Sequence, residues 1–187
     1  MKKLVAGLAL AIFSLMAQAQ SLVVNGNFEN GLTGWNEVVV PGTTSQHGVI
    51  NFGPSLPDNF YSTGFSDPTT LSQLIDTVVG TRYDLSFDLR GLKSVELPKN
   101  YSQVTFGTYS YEPLGFDNGS FTTFTYKGLL ADAATTALSF RASSDKSFVH
   151  LDNVSLQVSA VPEPETYAMM LLGLGLIGYT MRRRHKG

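Results

Sequence analysis

Three observations predict an antiparallel β-sandwich for the body of this chain. Residues 82–89 alternate strictly, with Tyr83, Leu85, Phe87 and Leu89 set against Arg82, Asp84, Ser86 and Asp88, the period of a strand with one face buried. Similar short runs recur between residues 20 and 160, each bounded by Gly, Pro, Asn, Asp or Ser clusters. No stretch of the body sustains a helical period; residues 129–137 could form only a turn or two. With no helix to cover a parallel sheet, the strands can bury their apolar faces only by packing sheet on sheet.

The elements follow in order. Met1, Lys2 and Lys3 are a positive leader, residues 4–16 are an apolar run too short for an ordinary span, and Ala17-Gln18-Ala19 is a small-residue cleavage box. Residues 1–19 therefore read as a secretory signal peptide, cut to leave Gln20 first. Strands are expected at 21–28, 37–40, 48–52, 59–65, 70–78, 82–89, 103–109, 121–126, 135–142 and 148–158. In the last of these, Val149 and Leu151 keep one parity while Val154, Leu156 and Val158 take the other. Such a slip predicts a bulge at Asp152-Asn153 that re-aims Asp152.

The tail, residues 161–187, is built differently. The box Pro162-Glu163-Pro164 leads into an uncharged apolar run at 167–181, then Arg182, Arg183 and Arg184, His185 and Lys186. The run has no polar stripe and so no side for water. As a helix at about 1.5 Å per residue it would reach roughly 22 Å, short of the roughly 30 Å hydrocarbon core, and would span by thinning the bilayer or letting its ends snorkel. The positive-inside rule keeps the arginines cytoplasmic and places everything before Pro162 on the far side of the membrane. Gly173, Gly175 and Gly178 imitate a dinucleotide-binding pattern, but no strand precedes them and no acidic residue follows at the required distance.

Composition excludes several classes. The chain has no cysteine, so disulfides and thiolate metal sites are ruled out. Residues 20–160 carry seven Lys and Arg against thirteen Asp and Glu, a net of −6, which argues against a nucleic-acid partner. About 140 residues suffice for one core and one domain, 20–160. Catalytic patterns are thin. Ser143 and Lys146 match S-x-x-K without its companion motifs, and His47 and His150 have no second histidine at metal-ligand spacing. His150, on the parity opposite Val149 and Leu151, reads as a surface or inter-sheet residue. Asp84 and Asp88, flanked by Arg82 and Arg90, read as a solvated charge ladder. A non-catalytic body is expected.

Sugars offer flat C–H faces and many hydroxyls, so a glycan site would combine exposed aromatics with amides and acids. Tyr101, Tyr109 and Tyr111 are the ligand candidates on this basis, with Asn59, Phe60 and Tyr61 of similar chemistry. The sole tryptophan, Trp35, reads as a core plug.

The tail closely resembles the PEP-CTERM sorting signal of Gram-negative bacteria. That resemblance implies export, transient anchoring with a cytoplasmic C-terminus, and cleavage by the membrane protease exosortase at a signal marked by Pro162, Glu163 and Pro164. The body landmarks 22–29, Gly34-Trp35, 71–74, 83–89 and 151–156 resemble the galactose-binding-like jelly roll, which includes many carbohydrate-binding modules. This second resemblance implies that first and last strands lie together, bringing Asn27 and Glu29 beside Asp152. It further implies a structural calcium held by main-chain oxygens near Asn27 and by the carboxylates of Glu29 and Asp152, hard oxygen ligands suited to that ion. The expected function is an exported envelope or extracellular-matrix protein associated with exopolysaccharide. The alternatives are a structural or adhesive surface protein and, further off, a hydrolase with an unrecognised site.

Overall fold

A computed structural model of the chain describes residues 20–42, 46–51, 58–64, 67–91, 100–116, 119–144, 147–160 and 171–174. The strands are β1 (Asn36–Val38), β2 (Gln46–Ile50), β3 (Phe60–Gly64), β4 (Thr69–Asp76), β5 (Arg82–Gly91), β6 (Asn100–Phe106), β7 (Tyr109–Tyr111), β8 (Thr122–Leu130), β9 (Thr135–Ser144) and β10 (Phe148–Val158). They form two five-stranded antiparallel sheets, ordered β1-β4-β9-β6-β7 and β2-β3-β10-β5-β8. The expected sandwich is therefore present; the expected signal peptide, 1–19, and most of the expected membrane run, 167–181, lie outside the described residues.

Alternation dictates the packing. In β5 every second residue from Tyr83 to Leu89 is buried, and in β9 Leu138 and Phe140 do the same from the facing sheet. Leu71, Ile75, Val104, Phe106, Val149, Leu151 and Leu156 complete a single core. In β10 the pairing with β5 shifts register between Asp152 and Ser155, and Asn153 adopts the left-handed region at φ 51°. The bulge expected from the parity slip is there.

Two strand assignments are corrected. Residues 21–28 form successive turns, not a strand, because Asn25 and Phe28 take positive φ of 51° and 55°. Asn tolerates that region because its side chain can bond locally: Asn25 Nδ2 donates to the carbonyls of Gly31 and Thr33, and its Oδ1 accepts the Asn30 N–H. The turns swing Phe28 inward, fully buried, with its ring 5.5 Å from that of Trp35. Trp35 is a core plug as expected, donating from Nε1 to the Asn25 carbonyl at 3.1 Å. The run 103–109 is likewise not one strand; it breaks at Gly107, φ 56°, into the β6–β7 hairpin.

This plug seals the sandwich only because Gly26 lacks a side chain. Val154 N–H donates to the Gly26 carbonyl at 2.9 Å, and a Cβ on Gly26 would lie 1.9 Å from the Val154 oxygen. Backbone cannot yield as a flexible side chain would, so Gly26→Ala is expected to destabilise the protein by about 1–3 kcal/mol. A urea midpoint equal to that of the parent would show that the plug is not closed by this contact.

Candidate functional site

The bulge on β10 gathers carboxylates. Asp152, 3% exposed, accepts the Asn153 N–H at 2.7 Å. Burial pushes its carboxyl up to about 7 against that bond, and the charges of Asp58, Asp88 and Glu29 add to the rise. Asp88 accepts from Thr123 Oγ1 at 2.6 Å and Asn153 Nδ2 at 3.0 Å. Glu29 accepts the Asn59 main-chain and side-chain N–H groups at 3.1 and 2.8 Å, and these bonds hold it below the ordinary carboxylate range. Its neighbour Asp58 is raised through the bond between the two carboxyls.

Glu29 lies within electrostatic reach of Asp152, the last of the charges that raise it. Asn27 lies to one side, on a shallow groove with Asn153, Val154 and Ser155. The Gly26 and Phe28 carbonyls are taken by Val154 and Gly31. Among the described residues no cluster of three or more His, Asp or Glu side chains is arranged to hold a metal. The set that the resemblance implies, two carboxylates with main-chain oxygens, is one of hard oxygen donors, whose chemistry suits calcium and not a softer metal.

The outer face of the second sheet is unlike an ordinary solvent face. Phe60, Ser62, His150 and Asp152 all point away from the core yet are buried. His150 is therefore no surface residue: its ring centroid sits 4.6 Å from Phe60, and burial, then the charge of Arg90, lowers its pKa to about 4. Arg90 lies over the Phe121 ring at 5.9 Å. Nor do Asp84 and Asp88 form a ladder with arginines. Asp84 accepts from the Gly128 N–H and Ser159 Oγ, and Arg82 donates to the Gly128 carbonyl. Beside this face, Gln46, His47, Ile50, Ser62 and Phe148 line a cavity of about 360 Å³. His47 Nδ1 lies 3.0 Å from Glu37, which also accepts the Tyr61 hydroxyl. Its lining comes from the neighbouring strands β2 and β3 and from β10, far along the chain, so no single stretch of sequence marks it.

The three tyrosine candidates do not share a surface. Tyr101 lies on the solvent face of the first sheet, with Arg141 5.7 Å from its ring. Tyr109 and Tyr111 pair with the core residues Phe106 and Val104, so they face inward at the sheet edge. There Tyr111 stacks on Tyr126 of the other sheet at 4.0 Å, and Tyr109 accepts the Leu130 N–H. Asn59 holds Glu29, and Tyr61 is core. Ala17, Ala19, Pro162, Glu163, Pro164, Arg182, Arg183 and Arg184 lie outside the described residues. Of the run 167–181 only Leu171–Leu174 is described; it is helical, and its leucines are exposed. Among the described residues no helix is long and apolar enough to cross a membrane.

Two facing antiparallel sheets with an end-to-end plug define a jelly-roll-like β-sandwich, and comparison with solved structures gives the same class. The carbohydrate-binding module TmCBM61, solved in complex with β-1,4-galactotriose, matches with TM-score 0.57 at 14% identity over 75% of this chain and 100% of that one. The CBM22-1 xylan-binding domain of Paenibacillus barcinonensis Xyn10C matches with TM-score 0.53 at 15% identity over 78% and 99%. The K3 cleaved adhesin domain of Lys-gingipain from Porphyromonas gingivalis W83 matches with TM-score 0.52 at 14% identity over 72% and 98%. More particularly, the chain carries a PEP-CTERM protein-sorting motif at residues 160–184, a C-terminal signal for export and membrane anchoring before processing. No curated protein matches the chain.

The tyrosine geometry separates packing from display. Tyr111→Ala is expected to cost about 1–3 kcal/mol, through lost burial and stacking across the two sheets. Tyr101→Ala should stay within about 0.5 kcal/mol. Urea denaturation of both variants checks this; equal losses would contradict the placement.

Proposed function

We propose that the body is a non-catalytic carbohydrate-binding module, exported by its signal peptide, anchored through its tail and released by exosortase to act at the cell surface or in exopolysaccharide. The observation that carries the reading is the cavity lined by Gln46, His47, Ile50, Ser62 and Phe148. Phe148 and Ile50 offer apolar surface for the C–H face of a sugar, while the amide, imidazole and hydroxyl supply both donors and acceptors for its hydroxyl groups. Its size falls at the low end of small-ligand pockets, suited to one or two sugar units. The fold is one that the neighbouring carbohydrate-binding modules use, which supports the assignment by analogy. Export is supported by the sorting motif and by the exposed leucines at 171–174, for which lipid would supply the missing apolar cover.

A structural calcium belongs to the same proposal. Glu29, Asp152 and main-chain oxygens of the Asn27 segment would hold it, and its charge would offset the mutual repulsion of Asp152, Asp88, Asp58 and Glu29 that the fold otherwise tolerates.

Binding to a glycan array, followed by calorimetry on the retained polysaccharide, tests the cavity. Gln46→Ala and Phe148→Ala should each weaken binding about tenfold or more, with a melting temperature close to that of the parent for Gln46→Ala. Retention on no glycan, or retention indifferent to both changes, would remove the assignment. For the ion, a chelator should lower the melting temperature and Asp152→Asn should abolish the calcium response. Absence of both binding heat and thermal shift would exclude it.

A further inference from the structure

The chain enters and leaves the sandwich at the same pole. Leu22 N–H donates to the Leu156 carbonyl at 2.8 Å, and Ser21 Oγ accepts the Leu156 N–H at 3.3 Å. Ser159 N–H donates to the Arg82 carbonyl at 2.8 Å, and its hydroxyl reaches Asp84 at 2.5 Å. The last residues of the body are thus pinned to the sheet before the tail begins.

That pole is also where the turns β4–β5 and β8–β9 meet: Gly80 N–H bonds the Ala131 carbonyl, and Ala131 N–H bonds that of Thr81. Tyr83 ties the group together, pairing with Val158 and accepting the Val78 N–H on its hydroxyl. Turns at such a place normally use Gly, Asn, Asp or Ser. Here Val78 and Val79 occupy the tip, 66% and 62% exposed, with Val158 at 51% and Leu130 at 39% beside the same knot. Single exposed aliphatics need no explanation, but several on one pole mark a contact surface. The pole is also close to neutral. Asp76, Asp84 and Asp132 against Arg82 and Lys127 leave it at −1, whereas the whole body stands at −6.

The occupant follows from the length of chain beyond. Six residues, 161–166, separate Ala160 from the apolar run that begins at Tyr167. Fully extended at about 3.6 Å per residue they span at most about 25 Å. No other part of the sandwich is tied so closely to the bilayer: β10 alone, eleven residues at about 3.3 Å each, sets the opposite pole roughly 35 Å away.

We propose that, while the tail is inserted, this pole rests on the outer leaflet of the inner membrane, with Val78 and Val79 seated among the lipid headgroups. The cavity lined by Gln46 and Phe148 lies toward the other pole and is then turned outward. The proposal rests on the anchoring reading above, and the test separates the two.

The absence of native cysteine allows single-site labelling. The chain from Gln20 to Gly187 carrying Val79→Cys, or Leu114→Cys as control, is labelled with an environment-sensitive nitrobenzoxadiazole dye and reconstituted into vesicles of phosphatidylethanolamine and phosphatidylglycerol containing headgroup-spin-labelled lipid. Leu114 is 82% exposed and leads to Phe116, whose carbonyl accepts the Gly91 N–H at the far pole. The expected result is flotation of both proteins, with blue-shifted, lipid-quenched emission at position 79 and neither change at 114. Flotation with position 79 as water-exposed as 114 would overturn the docking alone. Failure to float would overturn the anchoring and the docking with it.

Discussion

The structure depends on a main-chain contact between two segments at opposite ends of the body. Where Val154 meets Gly26, the first turns of the chain are closed onto the last strand. Without disulfides, these ends are held by such hydrogen bonds, that of Leu22 to the Leu156 carbonyl among them, and by burial. The contact works through three linked choices: glycine at 26 for clearance, asparagine at 25 to turn the backbone left-handed, and a bulge at Asp152-Asn153 to bring Val154 back onto the core face. Phe28 and Trp35 then fill the space that the turned segment encloses.

The same bulge has an electrical consequence. By keeping Asp152 on the outer face of its sheet, beneath cover, it places a carboxylate where water solvates it poorly and three others repel it. Asp152 alone of the four is buried, Glu29 and Asp58 being exposed, and a buried carboxyl with a raised pKa beside other carboxylates is a common feature of functional sites. His150, two residues earlier on the same face, meets the same desolvation from the other side of the charge balance and is kept neutral against Phe60.

Much of this was legible in the chain. Strict alternation marked β5, and the parity slip in β10 placed the bulge near Asp152-Asn153, because a period of two leaves no other way to keep Val149 and Val154 both inside. The first segment was misjudged because its apolar residues look like a strand, while its conformation is set by Asn25 bonding to Gly31 and Thr33. Tyr109 and Tyr111 looked like display residues. They face inward because a short hairpin strand pairs them with Phe106 and Val104, and Tyr126 arrives from the other sheet.

What the sequence by itself determined is therefore the period of each strand, the absence of covalent cross-links, the acidic balance of the body and the apolar run at each end of the chain. These are local or summed properties, readable without knowing which segments meet. Only the tertiary structure decided which polar faces are covered, which carboxylates raise Asp152, where a cavity opens and which pole carries both ends of the body. Each of those depends on pairings between strands far apart in the chain, and hydrophobic periodicity specifies a strand's inner face without naming its neighbour.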